Sequence, residues 1–99
     1  MPYRIEYTTH AQRHLRDLTA GQRALVVERV GEQLRHQPTV PTRNRKRLVL
    51  NALAAWELRV ERLRVFYNVF EEPEPVVEIQ AIGTKVRNKV FIQGEEVQL

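Results

Sequence analysis

Neither cysteine nor serine occurs anywhere in this chain of 99 residues. Without cysteine there are no disulfides, no thiol chemistry and no Cys-ligated zinc. Without serine there is no serine nucleophile. Asp17 is the single aspartate, and the glutamates fall in turns and tails, so the clustered carboxylates of a two-metal nuclease are missing. The four glycines, Gly21, Gly31, Gly83 and Gly94, are isolated, which excludes a glycine-rich phosphate loop. His10 and His14 are spaced as a zinc pair on a helix would be, yet no third ligand or glutamate base accompanies them, and they read as a surface pair. Neither a metal nor a cofactor is expected. No apolar run approaches ~18 residues and the N-terminus lacks the apolar core of a signal peptide. The expected location is therefore cytoplasmic, with no membrane partner.

What is present is a globular composition, 42% hydrophobic and 28% charged, and this excludes wholesale disorder. The length is that of one domain, residues 1–99. The net charge of +4 is unevenly placed. Residues 1–50 hold ten Lys/Arg against four Asp/Glu, and residues 51–99 hold six against eight. The first half thus carries +6 and the second −2, with the basic surplus in the helical half and in the loop that leads into the sheet.

The spacing predicts an α+β fold. Tyr3, Ile5 and Tyr7 alternate with Arg4 and Glu6 as a half-buried strand over Pro2–Tyr7. Thr8 or Thr9 then caps a helix whose apolar stripe is Ala11, Leu15 and Leu18. Thr19-Ala20-Gly21 breaks the pattern. A second helix follows from about Gln22 to Arg35, with Val27, Val30 and Leu34 as its core stripe, widened by Ala24 and Val26. The two helices form a hairpin. Pro38–Arg47 reads as a loop, and in Leu48–Ala55 the expected buried residues are Leu48, Leu50 and Leu53. Three strands complete the chain at Trp56–Val60, Leu63–Phe70 and Val76–Gly83, with a turn at Glu71–Pro75. Lys85–Leu99 shows no strong period. The expected architecture is an N-terminal strand, a two-helix hairpin and a three-stranded antiparallel meander, with the helices packed on one face.

The chemistry lies in the cations of that sheet. Arg59 alternates with Leu58 and Val60 and so leaves the core face; Arg64 opens the next strand opposite Val65 and Tyr67. In a tight hairpin the two lie side by side. Adjacent arginines repel unless an anion joins them, and their forks match phosphate geometry. The competing reading pairs each with a cross-strand carboxylate such as Glu57, Glu61 or Glu78. Arg43, Arg45, Lys46 and Arg47 form a basic run suited to a nucleic-acid backbone or simply to solvent, and Lys85, Arg87 and Lys89 follow Gly83, where the chain can fold back over the sheet. An enzyme of this composition acting on RNA would rely on the 2′-hydroxyl as its nucleophile, on cations to hold the extra negative charge, and on a Glu or Lys for the proton.

Several of these stretches resemble the RelE/ParE superfamily of bacterial type II toxins. Tyr3-Arg-Ile-Glu-Tyr7 with Ala11 and Leu15 is similar to the family's opening strand and helix. Lys46-Arg47-Leu48 resembles its basic segment. Trp56-Glu-Leu-Arg-Val60 with Leu63-Arg-Val-Phe-Tyr67 resembles its paired strands, and Ile82-Gly83 with Lys85 and Arg87 its final strand. The order and spacing extend over nearly the whole chain.

The resemblance implies a RelE-like sheet with helices on one face, and one of two activities. The first is metal-independent cleavage of mRNA, expected to depend on the ribosome; the second is inhibition of DNA gyrase without RNase activity. A cognate antitoxin is the implied protein partner, and a catalytically degenerate relative would bind only that antitoxin. By position, the resemblance makes Arg64, Arg59 and Lys85 catalytic candidates, and Glu57 is a candidate base beside them or a cross-strand partner for Arg59 or Arg64. RNA binding is expected of the basic residues Arg43, Arg45, Lys46, Arg47, Arg87 and Lys89, and of Phe91 as a stacking platform. Two positions depart from the best-known RelE type: Glu57 stands where that type has lysine, and Phe91 where it has tyrosine. Phenylalanine can stack on a base but cannot exchange a proton.

Overall fold

The computed structural model describes residues 2–99. Strand β1 (Arg4–Tyr7) leads into helix α1 (Thr9–Arg16) and helix α2 (Ala20–Leu34). Six strands follow: β2 (Arg45–Arg47), β3 (Trp56–Val60), β4 (Leu63–Phe70), β5 (Val76–Val86), β6 (Lys89–Ile92) and β7 (Glu95–Val97). The sheet runs in the order β2-β3-β4-β5-β6-β7, antiparallel throughout, and β1 joins it parallel to β5.

The α+β class and the helices on one face agree with expectation; the strand count does not. The meander has six strands rather than three, and with β1 the sheet has seven. Part of the presumed loop, Arg45–Arg47, pairs with Trp56–Leu58 as β2. The tail, whose sequence shows no strong period, forms β6 and β7. Its turn is Gln93-Gly94, with φ of 52° and 82°, the positive pair that a tight two-residue hairpin requires. The strand expected to leave at Gly83 continues to Val86. Gly83 serves close approach instead: a Cβ there would lie 2.8 Å from the Phe91 carbonyl oxygen on β6.

Both helices begin where a threonine caps them. The Thr8 hydroxyl accepts from the Ala11 N–H at 3.1 Å. Thr19 and Gln22 form a reciprocal capping box, so α2 starts at Ala20 and not at Gln22. Val26, Val30 and Leu34 are the residues that α2 buries, while Val27 is 49% exposed. The i, i+4, i+8 row therefore faces the sheet, and Val27 sits one step, about 100° of helical turn, off it.

The helix-side core joins Ala11, Val26, Val30 and Leu34 to Leu58, Val60, Val65, Tyr67, Val77 and Ile79. At about 1.5–3 kcal/mol for each large aliphatic side chain, this layer supplies most of the burial energy. A smaller cluster, Ala54, Phe66, Ala81 and Val90, lies on the other face beneath Leu48, Leu53 and Ile92. The 48–55 segment is thus laid across the helix-free face. The Asn51 side chain shapes it by accepting from the Leu53 and Ala54 N–H groups and donating to the Val49 and Ala54 carbonyls. Leu48 and Leu53 pack as expected, but Leu50 is fully exposed at the tip.

His14 is not a surface residue. It is 8% exposed, and its Nδ1 accepts from the Ile82 N–H at 3.1 Å. Ile82 lies between the part of β5 that pairs with β1 (residues 76–79) and the part that pairs with β6 (residues 84–86). Over that gap the sheet edge has no strand, and α1 fills it: Thr8 donates to Ile79 and Gln80 carbonyls, and His14 takes the amide.

Candidate functional site

Alternation along the strands gathers one set of polar side chains on the face without helices. Register places Lys46, Glu57, Phe66 and Ala81 in one row across β2–β5. The next row is Arg59, Arg64 and Gly83, and Lys85 stands two residues beyond Gly83 on the same face, opposite Val90. The intervening residues, Leu58, Val60, Val65 and Tyr67, point the other way into the helix-side core. Period two in the sequence is therefore the reason these cations share a surface.

A cavity of about 360 Å³ opens on this face. Lys46, Arg47 and Glu57 line it from β2 and β3, and Lys85, Lys89 and Val90 from β5 and β6. The 48–55 segment and the β7 end form its remaining walls through Asn51, Glu96 and Gln98. Among the described residues, four ion pairs form, and only Lys89–Glu96, at 3.9 Å, touches the cavity. Lys46, Lys85, Arg59 and Arg64 are in none of them. The reading in which each cation is locked against a carboxylate does not hold for these four.

Arg64 is the buried member of the group, 6% exposed. Its Nη1 donates to the Glu61 and Leu63 carbonyls, each at 2.8 Å, and its Nε has no partner. The guanidinium is therefore fixed by the β3–β4 turn rather than by an acid. Burial presses its pKa down, the Arg59 guanidinium directly across the ladder adds to this, and Glu57 acts in the opposite sense. Two guanidiniums held side by side with one carboxylate nearby are an arrangement that an anion stabilises. The turn that holds Arg64 is tight, with Glu61 at φ 55°.

Other predicted residues lie elsewhere. Arg45 is buried on the helix side; its Nε donates to the Val40 carbonyl at 2.9 Å and its Nη1 to the Gln33 carbonyl, tying the 38–44 segment to the end of α2. Its register with Leu58 turns it away from Lys46, which explains why a run of four bases cannot present all four to one ligand. Arg43 is exposed on that loop, outside the cavity. Arg47 reaches the cavity's edge, but its guanidinium lies 5.8 Å from the ring centroid of Trp56, which itself stacks on Tyr67 in the core. Arg87 occupies the β5–β6 turn at φ 59°. Phe91 pairs with Thr84 and Glu96, one step out of phase with Lys85 and Val90, and lines a second cavity with His14, Asp17 and Leu18 of the helix side. The structure therefore brings Lys46, Glu57 and Lys85 together beside Arg59 and Arg64, with Arg47 and Lys89 at the cavity's edge, and leaves Arg43, Arg45, Arg87 and Phe91 apart from them.

Glu96, Gln98, Asn51 and Asn88 line the cavity without having been singled out in the sequence. The signal that brings residues 95–98 back to the sheet is Gln93-Gly94, a hairpin turn.

No family model and no curated protein matches the chain. Among solved structures, the chain is similar to one from the toxin–antitoxin complex RelBE2 of Mycobacterium tuberculosis. The TM-score is 0.73 and the identity 27%, over 86% of this chain and 100% of that one. The chain is RelE-like. The structural likeness and the motif order of the sequence thus point to the same family of folds. The RelE-like sheet carries its unpaired cations on the helix-free face, with both helices behind it. No helix among the described residues is long and apolar enough to cross a membrane.

Proposed function

We propose that this RelE-like chain is the toxin of a type II toxin–antitoxin system and that it cleaves mRNA without a metal, at the ribosome. The observation that carries this reading is the set of four cations, Lys46, Arg59, Arg64 and Lys85, on one sheet face with Glu57 among them and no ion pair to any of them. The RNA 2′-hydroxyl attacks the adjacent phosphorus in line. Glu57 takes its proton. Lys46 and Lys85 flank the non-bridging oxygens, whose charge rises in the transition state, and the Arg59–Arg64 pair holds the chain of phosphates in place. The departing 5′-oxygen takes its proton from a lysine ammonium, leaving a cyclic phosphate and a free 5′-hydroxyl. The similarity to a toxin–antitoxin complex supports an antitoxin as the protein partner.

The test uses the purified chain with programmed ribosomes and with free mRNA. The wild type is expected to cut, and Lys85→Ala to cut at least about 10²-fold more slowly, the usual loss for one preorganised charge donor. Intact mRNA in both cases, at any ribosome concentration, removes the nuclease reading.

One observation favours a second reading. Phe91 lies on the opposite face from Lys85, so the stacking ring expected beside the lysines is not there. A ParE-like inhibitor of DNA gyrase needs no proton-transfer set. Gyrase inhibition and a DNA-damage response without mRNA cleavage would identify it.

A further inference from the structure

The cavity that holds Lys46 and Lys85 has an apolar side as well as a charged one. Val90 lies directly opposite Lys85 in the β5–β6 ladder, and Val97 directly opposite Val90 in the β6–β7 ladder. Residues paired across adjacent strands share a face, so Lys85, Val90 and Val97 form one row on the helix-free side. All three line the cavity of about 360 Å³, room for a single nucleotide. Val90 is fixed by its packing in the cluster of Ala54, Phe66 and Ala81, and Val97 is half-buried beside it. Val49 lines the cavity from the 48–55 segment and is 76% exposed.

The amides and acids of the walls leave this apolar row uncovered. The Asn51 side chain donates to the Val49 and Ala54 carbonyls and accepts from the Leu53 and Ala54 N–H groups, so its capacity is full. Glu96 pairs with Phe91, which puts its carboxylate on the other face, and the Gln98 amide donates to that carboxylate. Asn88 belongs to the β5–β6 turn, beyond the Val86–Lys89 pair that ends the ladder.

A phosphate drawn to Lys46 and Lys85 carries its sugar and base into the remaining space, and valine methyls line that space. We propose that the nucleobase beside the bound phosphate lies against the Val90–Val97 shelf, with Val49 at the rim. The base is then held through its ring face and not through its edge. Every base has such a face, so the site takes all four, and it holds a purine, with its larger ring system, more tightly than a pyrimidine. The shelf stands in for the aromatic platform that Phe91, on the other face, does not supply. This inference rests on the proposed RNA reading of this face.

The experiment is an NMR titration of the methyl-labelled full chain with ribose 5-phosphate and with 5′-AMP, 5′-GMP, 5′-CMP and 5′-UMP. AMP and GMP are expected to bind within about twofold of each other, and CMP and UMP about 3-fold more weakly, in line with their smaller ring surface. Ribose 5-phosphate is expected to bind at least about 5-fold more weakly than AMP, the lower end of what one stacked base contributes. AMP should move the Val90 and Val97 methyl resonances upfield through its ring current, and ribose 5-phosphate should not. Val97→Asn, which replaces the methyls by an amide on an edge strand, should weaken AMP at least about 3-fold and leave ribose 5-phosphate unchanged. Ribose 5-phosphate binding as tightly as AMP, or valine methyls that AMP leaves in place, overturns the shelf, and neither result needs a variant to fold. A preference of more than about 10-fold between AMP and GMP also overturns it, because that requires a group reading the base edge. Equal binding of all five ligands removes the shelf alone; no binding of any of them removes the RNA reading of this face and the shelf with it.

Discussion

Replacing His14 tests the way the sheet edge is closed. The Ile82 N–H lies where neither β1 nor β6 reaches it, and the His14 Nδ1 is its acceptor. His14→Phe keeps a ring of similar size and removes the acceptor, leaving a buried amide unpaired. That costs about 1–3 kcal/mol. For a domain of this length each kcal/mol shifts the melting temperature by roughly 4–8 °C, so a fall of about 10 °C is expected at pH 7.5. The wild type should also carry a pH signature. Burial lowers the His14 pKa below its ordinary 6.5; His10 and Arg13 push it the same way, and Asp17 opposes them. Below pH 6.5 the unfolded chain takes up a proton that the native state resists, so the unfolded state binds more protons and stability falls with pH. The contribution is complete above 6.5 and is lost progressively as the pH drops from there through the folded-state value. Urea melts of both proteins between pH 7.5 and 5 measure this. His14→Phe should lack that part of the slope. A variant as stable as the wild type at pH 7.5, or identical slopes in the two proteins, would refute the argument.

Two further predictions concern the frame of the site. Arg45→Ala removes charged donors from the Val40 and Gln33 carbonyls and should lower stability by about 3 kcal/mol in urea denaturation; its RNA affinity at low temperature should stay within about twofold of wild type, because Arg45 faces the helix side. Gly83→Ala puts a Cβ against the backbone of Phe91 and should destabilise by about 1–3 kcal/mol, measured the same way. A neutral Gly83→Ala would mean that β6 yields freely.

Much of this fold is legible along the chain, and the exceptions have identifiable causes. The paired strands Trp56–Val60 and Leu63–Phe70 stand where alternation placed them, because one face of each is buried against helices and register follows burial. Glu61-Arg62 gave no turn signal, since neither residue prefers positive φ, yet the strands on both sides impose the turn. Strands β2, β6 and β7 are three or four residues long and lie at or toward the sheet edge. Too few side chains are buried there to leave a period. In α2 the error of one residue, Val27 for Val26, is a 100° rotation that adjacent valines cannot resolve. The site was half legible. Period two is enough to set Arg59, Arg64 and Lys85 on one face, but the contiguous run Arg43–Arg47 belongs to a loop and a strand, and its members face in opposite directions. Arg45 as a core tie, His14 as an edge acceptor and Glu96 as a cavity wall all depend on contacts about 12 to 70 residues away in the chain. Those contacts have no local trace.

The central claim is that Lys46, Arg59, Arg64 and Lys85 act together on a nucleic-acid backbone. The salt dependence of binding to a short single-stranded RNA measures this most directly. Each phosphate contact contributes about −0.7 to the slope of log K against log salt, so four cations predict a slope of about −3, falling to about −2 in Lys85→Ala. A wild-type slope near zero, or one that Lys85→Ala leaves unchanged, would contradict the account.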